Sequence, residues 1–383
     1  MTFWIQHGFG KASKIETVAR TGLLSGVVLS PADEELATLT STARMIHGLG
    51  VSSLLDPQLY VHTISGGVAR CHESNGLDFG EISWFVSPGE IADHVSEVVA
   101  TNQHLSMEEI IAPTPYQVSF GDVWTPLSLQ YARATISEAD RPVYVSLVAE
   151  DSAFSDWEQT QRYMDALTRL DATGIYLIVG TSGRTYPLQW EPERLANILR
   201  VIHTLSVYNE YDVLWGYSDI AGLLGVAVGA TGAATGWYHS LRMWTTGKWV
   251  PQSGGRQANP RILVQSLLSA IGRTDEAIGI ARSREGARVF PDSDERRGLV
   301  REDTWGIADS WDQHLDAMAR LHQSLDEDAD VSERVVDVQQ RLDSAVELID
   351  DLTGAGVYMD AAHRRRLLAL TEAVQRFVAD EDL

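Results

Sequence analysis

Cysteine and lysine are scarce in this chain of 383 residues, and long apolar runs are missing. The single cysteine, Cys71, excludes an internal disulfide and a zinc site built from cysteines. Lys11 and Lys14 fall in the first predicted helix and Lys248 lies beyond the eighth predicted strand, so a Schiff-base lysine at a strand end is not expected. The longest near-apolar run, 220–234, is too short to span a bilayer. We therefore expect a soluble protein with no membrane segment.

Basic residues are outnumbered by acidic ones, 30 to 53, which gives a formal net charge of −23. The acidity is spread over both parts of the chain, and repulsion from phosphates argues against nucleic-acid binding. Segment 254–301 is a local exception, with nine arginines against six acidic residues. The first residues lack the basic segment and the long apolar core of a secretory signal, so we expect a cytoplasmic protein.

Apolar, β-branched runs alternate with helical patterns from residue 3 to residue 237. Several runs are apolar on both faces, as parallel strands covered by helices must be. Eight strand–helix units in about 240 residues match a (β/α)8 TIM-type barrel, an α/β fold. An open doubly wound sheet fits less well, because the turn Gly8–Ser13 lacks the third glycine of the dinucleotide-binding fingerprint. The predicted strands are Phe3–His7, Gly26–Ser30, Val51–Asp56, Ile110–Pro113, Pro142–Ala149, Gly174–Val179, Asp212–Tyr217 and Ala230–Trp237.

The pattern changes after Trp244. Spacing predicts helices over Arg261–Ile271 and Asp275–Arg284, and then a polar break over Phe290–Gly298. Three longer helices are predicted near Trp305–Leu325, Val331–Leu352 and Asp360–Asp380, and the second of them carries one apolar stripe. We accordingly divide the chain into a barrel (1–250), an arginine-rich connecting segment with short helices (251–302) and an α-helical domain (303–383).

Ligands of such a barrel bind at the carboxyl ends of its strands, where polar residues finish nearly every predicted strand. Asp56, Glu150 and Asp219 end strands three, five and seven, and His7 ends strand one. Paired carboxylates can divide acid and base work, so we expect catalysis from these four residues. Glu150 is the expected acid/base and Asp219 the expected nucleophile or charge stabiliser. The alternative is that Asp56 and Asp219 cap a turn and a helix, and that His7 is structural.

The glycine-rich loops after strands seven and eight are suited to holding a phosphate with backbone amides, or else to close packing. We find no HExxH pattern and no histidine set with metal-ligand spacing, so neither a metal nor another cofactor is predicted. The residues expected to bind substrate are Tyr217, Ser218, Trp237, Tyr238, His239, Arg242 and Arg256.

Together these features indicate a TIM-barrel enzyme of the hydrolase or glycosyl-transfer type. Its substrate would be a small polar ligand containing a sugar, a nucleoside or a phosphate, bound at the carboxyl mouth of the barrel. The alternative is a non-catalytic barrel that serves as scaffold or binding subunit of a larger assembly, or that forms a homo-oligomer, through residues 303–383. The apolar stripe distinguishes the two, because burial of the stripe within its own chain would remove the best support for a scaffold.

Overall fold

The computed structural model describes residues 2–10, 12–83, 85–251, 259–300 and 305–383. Eight parallel strands form one sheet in the order β3-β2-β1-β8-β7-β6-β5-β4. The pairing of β1 with β8 makes this order that of a barrel, which is nearly closed because β3 and β4 face each other without a ladder between them. The strands are β1 Phe3–Gln6, β2 Gly26–Leu29, β3 Ser52–Leu55, β4 Ile110–Ala112, β5 Val143–Glu150, β6 Gly174–Gly180, β7 Asp212–Gly216 and β8 Gly232–Thr235.

Helices connect the strands and cover the outside of the barrel. In this part of the chain they are α1 Ser13–Ala19, α2 Leu36–Gly48, α3 Pro88–His104, α4 Trp124–Glu138, α5 Trp157–Leu167, α6 Pro192–His203, α7 Ala221–Ala227 and α8 His239–Arg242. The predicted (β/α)8 barrel is thus confirmed. Because helices lie against the strands, β2, β4 and β6 are buried along their whole length, which explains their continuously apolar sequences.

Glycine permits close packing where large side chains fill the barrel wall. A Cβ atom on Gly26 would lie 2.3 Å from the ring of Trp4 on the neighbouring strand. A Cβ atom on Gly216 would lie 2.6 Å from the hydroxyl of Tyr176, which itself reaches across the barrel to donate a 2.8 Å hydrogen bond to Gln6. These glycines are therefore required by packing.

The predicted helix over Arg261–Ile271 is wrong. That segment is an antiparallel hairpin of β9 (Arg261–Val264) and β10 (Ser269–Gly272). Its short apolar runs suit a strand as well as a helix, and Leu268 at the turn adopts a left-handed conformation that ends the first run. The side chain of Gln313 caps the hairpin edge, accepting from the Leu263 amide at 3.0 Å and donating to its carbonyl at 2.8 Å.

Helices follow the hairpin: α9 Ile278–Arg282, α10 Gly286–Val289, α11 Ser293–Val300, α12 Ile307–Gln323, α13 Val331–Gly354 and α14 Ala361–Glu381. The helix predicted over Asp275–Arg284 is confirmed in α9 and the turn before it, whereas the polar break predicted over Phe290–Gly298 is largely helix α11. The three long predicted helices are confirmed as α12, α13 and α14, each within a few residues of its expected bounds.

The helical region packs on the barrel, with α14 against α6, α13 against α7 and α12 against β1. Most of the apolar stripe of α13 is buried in these contacts, while Val331 and Val346 are half-buried. The stripe is therefore covered by the chain itself. This removes the feature that best supported the scaffold alternative.

Candidate active site

A buried polar cluster occupies the carboxyl ends of β1, β2 and β3. At its centre is Asp56, which directly follows β3 and is 1% exposed. Its carboxylate accepts a 2.8 Å hydrogen bond from the Tyr60 hydroxyl and a 3.1 Å hydrogen bond from the Gln58 amide. Burial raises the pKa of Asp56 to about 7, although both hydrogen bonds act in the opposite direction. Asp56 can therefore gain and lose a proton near neutral pH.

Lys248 enters this cluster from the segment that follows α8. Its ammonium group lies 3.4 Å from the carboxylate of Asp33, 4.0 Å from the centroid of a Trp249 ring and 5.2 Å from that of Tyr217. Burial lowers the pKa of Lys248, while Asp33 and Asp56 oppose that shift. One buried cation is thus held between two carboxylates and two aromatic faces.

His7 and Glu34 form the edge of the cluster nearest β1. The His7 imidazole is fully buried, its Nδ1 lies 3.8 Å from a Glu34 carboxylate oxygen, and its ring meets that of Trp237 edge-on at 5.3 Å. Burial lowers the pKa of His7 to about 4 and raises that of Glu34 to about 7. At neutral pH the imidazole is therefore uncharged, and Glu34 is a second carboxyl group that titrates in this range.

Aromatic side chains close the mouth over the cluster, and Trp237, Trp244 and Trp249 are each no more than 4% exposed. Trp244 and Trp249 both meet Tyr60 edge-on, at 5.5 and 6.0 Å. Two of these rings, on the segment that carries Lys248, therefore lie directly against the hydrogen-bond partner of Asp56.

Three residues at the same end of the barrel have strained backbone conformations. Gln58 after β3, and Tyr217 and Asp219 after β7, have φ values of 56°, 56° and 44°. Residues other than glycine rarely adopt this left-handed backbone conformation, which costs of order 1–3 kcal/mol at each position. The conformation of Gln58 is stabilised by a hydrogen bond, which its side-chain carbonyl accepts from the Ala32 amide at 2.9 Å.

Glu150 and Asp56 belong to different surroundings. The Glu150 carboxylate accepts hydrogen bonds from the Tyr116 hydroxyl and, at 2.9 Å, from the Ser182 amide. The ring of Trp244 contacts both Tyr116 and Tyr60, so aromatic rings stand between the two carboxyl groups. Of the expected catalytic residues, only Asp56 and His7 lie in the buried polar cluster.

Asp219 faces the helical region instead. A carboxylate oxygen lies 3.5 Å from Nε2 of His314 on α12, which is itself 1% exposed. Burial raises the pKa of Asp219, while Arg242 and Arg366 oppose that shift. Asp219 thus connects the barrel mouth to α12 and α14.

The residues expected to bind substrate are divided between these two regions. Tyr217 and Trp237 border the buried polar cluster, and Ser218 bonds to the Ala234 carbonyl within the barrel. Tyr238, His239 and Arg242 line a small pocket beside α12. Arg256 lies outside the described residues.

Asp33, Glu34, Tyr60 and Lys248 were missed by the sequence analysis. Asp33 and Glu34 sit a few residues past the end of β2, and Lys248 follows β8 by more than ten residues. A search limited to residues at strand ends therefore does not find Asp33, Glu34 or Lys248. The placement of Lys248 also removes the sequence-based reason for rejecting a role for its amine.

Among the described residues, no group of three or more histidine, cysteine, aspartate and glutamate side chains is arranged to hold a metal ion. Within the same ranges, no helix combines the length and the apolar character that a membrane crossing needs.

No protein-family model and no curated protein matches the chain. Solved structures similar to it include N-acetylneuraminate lyase from Mycoplasma synoviae, at 12% identity and a TM-score of 0.31, over 60% of this chain and 67% of the lyase. A second crystal form of that lyase matches at 11% identity and a TM-score of 0.33, over 98% of this chain and 97% of the lyase. A GH3-family glycosyl hydrolase from Mycobacterium smegmatis matches at 15% identity and a TM-score of 0.39, over 65% of this chain and 85% of the hydrolase. Such low identities and TM-scores say nothing about ligand or reaction, and the barrel assignment rests on the strand pairing of the chain itself.

Proposed function

We propose that the mouth of this barrel is the active site of an enzyme that acts on a small polar ligand by carboxylate acid/base chemistry, with Asp56 as the acid/base. The observation that carries the proposal is the gathering of Asp33, Glu34, Asp56 and Lys248 at the carboxyl ends of the first strands, where Glu34 and Asp56 are buried and Lys248 pairs with Asp33. Buried ionisable groups are costly to a fold, and groups with pKa values near 7 are suited to proton transfer at neutral pH.

The proposed roles follow from the contacts of each group. Asp56 exchanges a proton with the ligand, and Tyr60 fixes the orientation of its carboxyl group. Lys248 stabilises negative charge that develops on the ligand, as its ammonium group already faces two carboxylates. Uncharged His7 offers a neutral donor or acceptor. Glu150 and Asp219, the pair first expected to carry the reaction, have other partners in the structure, so we propose Asp56 in place of Glu150.

The substrate class proposed is a glycoside or nucleoside, because cleavage of such bonds uses a carboxyl group of raised pKa as general acid, and burial raises the pKa of Asp56 to about 7. The aromatic rings at the mouth provide apolar faces against which a sugar or base can stack.

The test is turnover of a panel of p-nitrophenyl glycosides and of nucleosides by the full chain. Asp56→Asn should reduce kcat by at least about 100-fold, the size expected for loss of a general acid or base. Asp165→Asn, on the exposed face of α5, is the matched control and should leave the rate unchanged. If Asp56→Asn turned over a substrate at the wild-type rate, the assignment would be contradicted.

A further inference from the structure

A second polar region lies between the barrel and the helical region, centred on Tyr186. The Arg242 and Arg261 guanidinium groups lie 5.5 and 5.8 Å from the centroid of the Tyr186 ring. Arg366 reaches the same region from α14, where the fields of Asp219, Tyr186 and Arg261 act on it. Arg242 and Arg366 are 3% and 4% exposed. Three cations from β9, α8 and α14 are thus gathered around one phenol ring.

The negative charge facing Arg242 and Arg366 is small, whereas Arg261 also lines a second pocket with Asp275, Glu276 and Asp360. Within the described ranges, the hydrogen bonds of the three arginines go to backbone carbonyls and hydroxyl groups, and the carboxylate acting on both Arg242 and Arg366 is that of Asp219. His314, which touches Asp219, adds no further positive charge, because burial and Arg242 hold its pKa well below the usual value. The Nε atom of Arg366 has no hydrogen-bond partner. An excess of buried positive charge is costly unless an anion neutralises it.

A pocket of about 30 Å³ opens beside this group and is lined by Tyr238, His239, Arg242, Arg261 and Ser310 among others. All five named side chains carry hydrogen-bond donors, and none is acidic. The pocket also approaches the buried polar cluster, because Asp33 and Glu34 act on the Tyr238 hydroxyl and help to raise its pKa. Tyr238 thus lies between the pocket and the buried polar cluster.

A phosphoryl group is larger than a pocket of about 30 Å³, so it enters with movement of the side chains at the rim. We infer that the pocket opened in this way binds a phosphoryl group, and that the ligand of the barrel mouth is phosphorylated. Guanidinium groups offer paired donors that match phosphate oxygens, and Arg261, which is half-buried, is placed to supply them. This inference deepens the proposed function and rests on it for the claim that one ligand spans both regions. Binding of phosphate itself requires only the arginines.

The experiment measures the affinity of the full chain for inorganic phosphate by isothermal titration calorimetry at constant ionic strength. Wild type should bind one phosphate, and Arg261→Met should weaken the affinity by at least about 10-fold, or 1.4 kcal/mol. Arg261→Lys keeps the charge without the paired donors. Its phosphate affinity should lie between those of wild type and Arg261→Met. Arg288→Met removes an exposed arginine on α10 that pairs with Asp351, and should bind phosphate within about twofold of wild type, the scatter expected for a surface charge.

Two results would overturn the inference: no phosphate binding by wild type, or equal affinity in wild type and Arg261→Met. Thermal melts verify that each variant is folded. Asp56→Asn should retain phosphate affinity, which separates this site from the acid/base proposal. If that variant lost phosphate affinity and Arg261→Met kept it, the phosphate would belong to the cluster at Asp56 and the assignment to the arginine pocket would be wrong.

Discussion

The Tyr60 hydroxyl donates a 2.8 Å hydrogen bond to the Asp56 carboxylate, and both residues are 1% exposed. The hydrogen bond fixes the carboxyl group without preventing its protonation, because burial holds the pKa of Asp56 at about 7. Tyr60 remains the donor throughout, since burial and the charge of Asp56 raise its own pKa well above the usual value. The pair is therefore a carboxyl group of raised pKa with a fixed hydrogen-bond donor.

The effect of Asp56→Asn on the free energy of unfolding should depend on pH, and it should be more stabilising at pH 8 than at pH 4. The pKa of Asp56 is about 7 in the folded chain, against the ordinary aspartate value of 3.8 in the unfolded chain. Below pH 4 both states hold the proton, and as pH rises toward 7 the unfolded state loses it first, so wild-type stability falls over this window. The difference of about three pKa units corresponds to at most about 4 kcal/mol.

Urea unfolding at a series of pH values measures this effect as the difference between wild type and Asp56→Asn. The difference should grow between pH 4 and pH 7 and then level off. Asp165→Asn should show no such trend, because Asp165 is exposed. A pH-independent difference for Asp56→Asn would mean that the carboxyl group has the same pKa folded and unfolded.

Lys248 and Asp33 should be energetically coupled. Lys248→Met leaves the carboxylates of Asp33 and Asp56 without their buried cation, which should cost about 3–5 kcal/mol of unfolding free energy. In the double variant with Asp33→Asn the loss should be smaller than the sum of the single losses by more than about 1 kcal/mol.

The matched control for this cycle is the exposed pair Arg376 and Glu372, one helical turn apart on α14. Its coupling energy should be much smaller than that of Lys248 and Asp33, because both side chains are exposed to solvent. Additive losses at Lys248 and Asp33, measured by the same denaturant series, would show that the two groups do not interact in solution.

Gln313→Ala should destabilise the chain by roughly 1–3 kcal/mol, because it leaves the amide and the carbonyl of Leu263 without partners. Gln323→Ala, at the exposed end of the same helix, should change the unfolding free energy by less than about 0.5 kcal/mol. Amide hydrogen exchange of Leu263 gives the local readout and should accelerate only in the first variant. Equal exchange in both variants would contradict the docking of α12 on the hairpin.

The barrel was predictable because β-branched apolar runs such as β5 and β6 recur with helical patterns between them. The hairpin at Arg261 was not, since a run of four to eight apolar residues has no period that separates strand from helix. Of the buried polar cluster, only Asp56 and His7 directly end a strand. Lys248 joins them through the path of the chain after β8, and the sequence alone contains no signal for that return.

The central claim is that Asp56 exchanges a proton near neutral pH inside the barrel mouth. ¹³C NMR of the chain labelled at aspartate carboxyl carbons measures it directly, with Asp56→Asn identifying the signal. The account predicts one resonance that titrates near pH 7 in wild type and is missing from the variant. If the resonance assigned to Asp56 instead titrates near pH 4, the carboxyl group is ionised at neutral pH and cannot serve as the proposed acid.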